Sequence, residues 1–504
     1  MYRLIDKITQ EKYSKVFDTL FWLSVIIFSL IYSFMSVRIH NSFETYGWDL
    51  GVFDHGIWQW SQFKIPFSSF HDLPWLADHF HLTLLLLVPF YWIYQNVRTL
   101  IVLQAVITCL GAVPVYLLSK KVSKNNLFSL VISLGFLVFY SLQWHTFSGF
   151  HELALLPITL GFTLYFWETK NSKLYWIFFI LALFVKEETG LLLGTFGLWS
   201  ILTDRKRWKQ GLTSILLGWG VAVVLIGFVM PWIAGGAYRH AGFGSAGNSF
   251  FDVIEKIIRN PLFLFKAFID SPVKIKTMFT TFWPWAFLPI FAPSTLLLSL
   301  EQFATRFVDY EKVIRWTPFF AYSLPMATIM AWGSIYGFRN LMSRIRKNIK
   351  IFLGVAIPVA FLALIIGEQI LLHAPINSLF KQAFYRKEKW MDNNLKVLKC
   401  VPPRVSVSAQ NNLAPWLSER ERIKVFPEGL TNGYEYIVAD LHSGQSENSF
   451  FYIGRENTKK IIGDLLSQKI YKIVCQEGDA IVLRKASGDI NRLKYDFPLD
   501  IYEK

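Results

Sequence analysis

The stretch from His40 to His81 holds five carboxylates and five histidines, with Lys64 as its lone cation and Arg38 just before it. It contains Tyr46-Gly-Trp48-Asp49-Leu-Gly51-Val-Phe-Asp54-His55-Gly-Ile-Trp58, then Asp72, then Asp78-His79-Phe-His81. Carboxylate and imidazole groups at this density could bind a divalent cation or a cationic group, or supply a general base. Asp49, Asp78 and His81 are the candidate metal ligands. No cysteine joins them, which argues against a structural zinc site. Asp49 and Asp54 are five positions apart, so on one regular helix they would point about 140° from each other. Gly51 permits a break between them that would aim each carboxylate independently. The plainer alternative is that both merely solubilise a loop, or cap a helix starting near Val52.

Two more polar groups interrupt apolar sequence. Phe150-His151-Glu152 opens one apolar run, and Lys186-Glu187-Glu188 separates two others. Charges at membrane depth are costly, so they face a cavity or pair with one another; the alternative is a surface turn that snorkels into water. Arg239 adds a cation beside Tyr238 and His240 in a glycine-rich loop.

The elements that must position these groups are membrane helices. Hydrophobic residues make up 53% of the 504-residue chain and charged residues 17%, below the roughly 25% charged of a soluble domain. Apolar runs predict about eleven spans, at 17–37, 98–118, 127–143, 151–167, 174–186, 188–203, 211–233, 274–289, 291–305, 317–337 and 351–372. The run Leu82 to Tyr94 is short for a span and carries Pro89, so it is expected to lie along the interface. With that choice five cationic segments share one side: the N-terminus (Arg3, Lys7, Lys12, Lys15), Lys120/Lys121/Lys124, Lys170/Lys173, Arg205 to Lys209, and Arg339 to Lys350. The positive-inside rule makes that side cytoplasmic, with the His40–His81 loop, Lys186-Glu187-Glu188 and the C-terminal region outside. The basic start before the first apolar run reads as a retained anchor in the cell membrane. The net charge of +15 is spread over these loops and does not form a nucleic-acid-binding patch.

Two parts are therefore expected: a transmembrane all-α domain over 1–372 and an extracytoplasmic α/β domain over 373–504. In the latter, short β-rich runs at Arg404–Ser408, Arg422–Phe426, Tyr436–Asp440, Lys472–Cys475 and Ala480–Arg484 flank a helical candidate, Thr458 to Gln468. Cys400 and Cys475 could pair, which spacing does not decide. Cys109 lies in an apolar run.

Trp48-Asp49-Leu-Gly-Val-Phe-Asp54-x-Gly-Ile-Trp58 resembles the opening signature of a prokaryotic family of polytopic membrane proteins known only as a domain of unknown function. His79 to Pro89, Gln104, Phe150-His151-Glu152, Lys186 to Leu191, Phe291-Ala-Pro293 and Val407 to Arg420 are similar to it as well. The family's layout in turn resembles the GT-C superfamily of membrane glycosyltransferases, which take a sugar from a polyprenyl-phosphate carrier. The resemblance implies an enzyme in which Asp49 is the loop carboxylate acting as general base, with Asp54 as a second catalytic candidate. His79, His81, His151, Glu152, Lys186, Glu187, Glu188 and Arg239 would bind substrate. A divalent metal ion would be a candidate cofactor, and a glycan, lipid or protein the acceptor. The competing readings are a transporter or lipid-translocating protein, coupled through charges such as Lys186 and Glu368, and a non-catalytic scaffold.

Overall fold

The computed structural model describes residues 14–240, 242–319 and 321–486, with Tyr495 and 497–499 beyond them. Arg3, Lys7 and Lys12 of the basic start lie outside this range. Five helices among the described residues are long and apolar enough to cross a membrane: Ser14–Asn41, Val97–Ser123, Asn126–Phe147, Arg205–Ala234 and Ile349–Leu371. Ser14–Asn41 shows why. Phe17, Phe21, Val25, Tyr32 and Met35 form its buried stripe, while Val16, Leu20, Leu23, Ile27 and Leu30 are apolar yet exposed. An apolar surface on both sides of a helix suits protein on one face and lipid on the other.

Shorter helices fall at the other expected spans, and their ends follow local chemistry. Leu156–Glu168 begins with Pro157 in its first turn, where a missing N–H costs nothing. Asn96, Asn125 and Asn171 cap Val97–Leu110, Asn126–Val138 and Ser172–Leu183 through their side-chain oxygens. Thr189–Thr203 and Trp208–Val224 pack with backbones nearly touching: a Cβ on Gly218 would stand 2.4 Å from Gly194 N, and one on Gly197 2.7 Å from Gly211 O. Small residues allow this approach in lipid, where close van der Waals packing drives association.

Two segments are broken. Leu82–Leu87 is a 3₁₀ turn leading into the short helix Val88–Ile93, with Leu85, Leu86, Phe90, Trp92 and Ile93 exposed. The expected span 274–289 is not one helix. It ends at Phe282 and continues as the proline-paced 3₁₀ turns Trp283–Trp285 and Leu288–Phe291. Pro284 and Pro289 remove backbone donors there, and Ala286 and Phe287 take positive φ between the turns.

In the loop between the first two long helices, β1 (Phe67–Ser68) pairs with β2 (Leu73–Pro74). The C-terminal region carries a five-stranded sheet of β3 (Val407–Ala409), β4 (Ile423–Val425), β5 (Tyr436–Asp440), β6 (Tyr471–Glu477) and β7 (Ala480–Lys485), in the order β4-β3-β5-β7-β6. β3 runs parallel to β4 and β5, whereas β7 is antiparallel to β5 and β6. The two-residue alternation of strands sends Ile437, Ala439, Ile481 and Leu483 to one face, against Ile461, Ile462 and Leu465 of the helix Arg455–Ser467. Val407, Ala409, Val425, Val438 and Val482 face the other way and join the core that runs through the membrane helices. A disulfide links Cys400 to Cys475 across a separation of 75 residues, and Cys109 is buried.

Candidate functional site

Asp49 sits in a widened helical turn, Gly47–Gly51, that leads directly into the helix Val52–Ser61. The break anticipated between Asp49 and Asp54 is this π turn. Gly51 keeps ordinary helical angles, and its missing Cβ instead makes room for Phe70, 3.1 Å away. The turn is pinned from the C-terminal domain: Gly47 N–H donates to Asn411 O at 2.8 Å and to Asn411 Oδ1 at 3.0 Å. Farther along, Ser69 Oγ donates to Ile423 O at 2.8 Å, His55 Nδ1 lies 3.0 Å from Ser418 O, and Lys424 pairs with Asp72.

The two carboxylates part company here. Asp49 keeps 40% of its side chain open and lines a cavity of about 660 Å³. His151 Nε2 lies 3.7 Å from its carboxylate. Burial by the surrounding walls raises the Asp49 pKa, with His151 opposing and Glu152 reinforcing the shift. Asp54 is fully buried away from that cavity. The Tyr91 and Ser418 hydroxyls stand 2.5 Å from its two oxygens, and burial, then the charge of Glu419, pushes its pKa up to about 8 although both contacts lower it. This surrounding fits a neutral structural acid and not a second reacting carboxylate.

Beside Asp49 the cavity wall is a web of charge. The turn Lys186-Glu187-Glu188 links Ser172–Leu183 to Thr189–Thr203 and is tied by Thr189 Oγ1, which bonds Ala182 O at 2.8 Å and Lys186 O at 2.7 Å. Lys186 Nζ reaches Glu152 at 3.0 Å and Glu188 at 3.7 Å. Arg315 bridges Glu188 at 2.9 Å and Asp309 at 3.2 Å. Glu187 accepts from Tyr238 OH at 2.8 Å and from Phe80 N–H at 3.0 Å, and pairs with His79 Nδ1 at 2.9 Å. Asp78 lies 3.2 Å from His71, 3.0 Å from His240 and 3.8 Å from Arg239. Although burial opposes it, His71 and His240 hold the Asp78 pKa well below the usual carboxylate range. Burial lowers the His240 pKa to about 4, and Lys312 Nζ sits 2.8 Å from its Nδ1.

Of the residues singled out in sequence, Asp49, His79, Lys186, Glu187 and Glu188 line the one cavity. His151, Glu152 and Arg239 stand behind them, each against one of the site's carboxylates or Lys186. His81 is elsewhere. It is buried against Trp75, ring centroids 4.3 Å apart, with no hydrogen-bond partner on either nitrogen among the described residues, and burial lowers its pKa to about 4. The candidate metal ligands Asp49, Asp78 and His81 therefore do not converge. Asp78 instead meets His79 and His240, whose ligand atoms lie within 4.8 Å of one another. One carboxylate and two imidazoles are a donor set suited to a divalent metal such as zinc.

Sequence reading missed Lys312, Arg315 and Tyr322, which line the cavity from a distant segment. The charge run Asp309, Glu311, Lys312, Arg315 was the one signal for them. It also missed Asn411, Asn448 and Phe451 of the C-terminal domain; Asn411 lies within the stretch Val407 to Arg420 that resembles the family, and no local pattern marked the other two. The cavity also has an apolar lining, from Leu191, Ile226, Phe250, Val253, Ile257 and Leu264.

A family model described as "Predicted membrane protein (DUF2079)" matches residues 39–479. No curated protein matches the chain. Among solved structures, ArnT from Cupriavidus metallidurans bound to undecaprenyl phosphate is similar at a TM-score of 0.52 and 13% identity, covering 92% of this chain and 97% of that one. The apo state of the same protein gives 0.49 and 13%, covering 92% and 98%. At such identity the likeness with the bound structure speaks for the fold alone, which is GT-C, as the motifs of the first loop led one to expect.

Proposed function

The chain belongs to the DUF2079 family of predicted membrane proteins, and from that membership and its GT-C fold we propose that it is an integral membrane glycosyltransferase. It would move a sugar from a polyprenyl-phosphate carrier to an acceptor on the face that bears the C-terminal domain. The observation that carries this reading is the cavity: one open carboxylate, a cluster of cations and an apolar chamber share a single space. The ArnT structure bound to undecaprenyl phosphate supports a lipid-phosphate partner for this fold.

The chemistry follows from the placement. Asp49, held at the cavity wall by the turn that Asn411 pins, accepts the proton of the attacking acceptor group. Its raised pKa makes it a stronger base than a free carboxylate. The departing phosphate needs neutralising charge, and Lys186, Lys312 and Arg315 supply it from the cavity wall. Glu188 now spans Lys186 and Arg315, which is the position a phosphate anion would take between them. The apolar chamber receives the prenyl chain. Asp78, His79 and His240 would hold a divalent cation, which would add positive charge near the leaving group. The disulfide and the placement of the cationic loops support an extracytoplasmic C-terminal domain.

The test is transfer by purified protein with a panel of polyprenyl-phosphate sugars. Asp49→Asn should lower the rate by about 10²–10⁴ while leaving carrier binding intact. Full turnover in Asp49→Asn, or no transfer and no carrier binding by the wild type, would remove the reading.

A further inference from the structure

The cavity end beside Asp49 is assembled from two distant parts of the chain. The first loop supplies Tyr46 and Trp48, and the C-terminal domain supplies Asn411, Asn448 and Phe451. His71 covers one face of the Trp48 indole, with ring centroids 5.2 Å apart and planes 20° from parallel. Phe451 meets Trp48 nearly at right angles, at 6.0 Å and 77°, and remains 38% exposed. The Tyr46 hydroxyl lies among the side chains of Ser446, Asn448 and Ser449.

This end differs in chemistry from the rest of the space. The side chains of Tyr46, Trp48, Asn411, Asn448 and Phe451 are aromatic rings, a phenol and neutral amides, whereas the cavity's cations are Lys186, Lys312 and Arg315. These five side chains offer a phosphate no charge. A prenyl chain would strand the amides, which must be hydrogen-bonded when enclosed. A pyranose ring satisfies both parts, since its C–H face packs on an aromatic ring and its hydroxyls exchange hydrogen bonds with amides and phenol. Trp48 and Asp49 line the same cavity, so a ring seated on Trp48 has the carboxylate in the space it occupies.

Resting on the transferase reading, we infer that the C-terminal domain and the first loop together form a pyranose-binding subsite above Asp49. Phe451 and Trp48 are its ring platform and Asn448 and Tyr46 its hydroxyl partners. Asn411 acts differently. Both ends of its amide are engaged, with Gly47 N–H and with Asn448 O, so it is a positioning residue that sets the platform's distance from the domain.

The test is saturation-transfer NMR on the full-length protein in lipid nanodiscs, probed with methyl glycosides of glucose, galactose, mannose and N-acetylglucosamine. At least one glycoside should bind, and Phe451→Ala and Asn448→Ala should each weaken it by about tenfold. Both variants should bind undecaprenyl phosphate within about twofold of wild type, which also shows that they fold. Absence of any glycoside signal, or wild-type glycoside affinity in both variants, overturns the subsite. A wild type that binds a glycoside through Phe451 but never the carrier would overturn the transferase reading and leave the subsite standing. A short-chain polyprenyl-phosphoryl hexose separates the two sources of the ring: displacement of the glycoside assigns the subsite to the donor sugar, and joint binding assigns it to the acceptor.

Discussion

Replacing Asp54 by asparagine tests whether the first loop holds one working carboxylate or two. Asp54 is enclosed, with Tyr91 and Ser418 hydroxyls on its two oxygens at 2.5 Å. With a pKa pushed up to about 8, it is mostly protonated at neutral pH, and asparagine is close to an isostere of that form. The new amide keeps the Tyr91 bond through Oδ1 and donates to Ser418 Oγ, whose own proton goes to Pro415 O at 2.8 Å. No buried group is stranded, so the cost should stay below about 1 kcal/mol. Asp54→Ala strands the Tyr91 hydroxyl and should cost about 1–3 kcal/mol. The pH dependence has a definite sign. A folded pKa above the unfolded one means that the native state binds more protons between the two values. Stability is thus fully present below about pH 4 and is lost as pH rises through about 8, by at most about 1.4 kcal/mol per unit. Asp54→Asn should remove that part of the slope. Thermal unfolding of the purified chain in detergent, followed from about pH 5 to about pH 8.5, reads both effects. Parallel profiles for wild type and Asp54→Asn, or an asparagine variant as unstable as the alanine one, would refute the neutral-acid account. Loss of transfer in a stable Asp54→Asn would return Asp54 to the chemistry.

Glu188→Gln should tighten binding of undecaprenyl phosphate by several-fold, roughly 1 kcal/mol, because it removes the anion that now spans Lys186 and Arg315; weaker binding would show that Glu188 is needed to hold Arg315 in place. Breaking the Cys400–Cys475 link by Cys400→Ser/Cys475→Ser should lower stability by about 2–4 kcal/mol for a loop of this length, read as a fall in Tm, and an unchanged Tm would mean the thiols are free in the native protein. Gly218→Ala places a methyl 2.4 Å from Gly194 N and should cost about 1–3 kcal/mol, whereas Gly220→Ala, with nothing within 4 Å, should be silent in the same melt. Cysteines introduced near Ser446 should react with an impermeant thiol reagent in intact cells and those near Lys121 and Lys206 should not; labelling at Lys121 would invert the proposed orientation.

The legible and illegible parts of this protein divide by the distance over which information must travel. Apolar runs and their proline or asparagine ends are local, so the helices fell close to their expected positions, and short β-rich runs overlap each of the five strands of the C-terminal sheet. Where prolines were spaced closely, as at Pro284 and Pro289, run length alone overstated a span. The site depends on segments that meet only in the fold. Arg315 reaches Glu188 across 127 residues and Ser418 reaches Asp54 across 364, and neither pairing leaves a periodic trace in sequence. That is why Asp49 and Asp54, equal as residue types in one loop, were both carried as catalytic candidates. Their difference comes from what packs on them. The C-terminal turn at Ser418 and the Tyr91 ring close over Asp54, and that burial raises its pKa, while the same domain, through Asn411 and Gly47, holds the neighbouring turn and Asp49 stays open. The C-terminal domain thereby takes part in the site twice, by choosing which carboxylate is exposed and by walling the space that carboxylate faces. One face of the domain's sheet is continuous with the membrane core, so cutting it away would expose Val407, Val425, Val438 and Val482 together with the loop that carries Asp49.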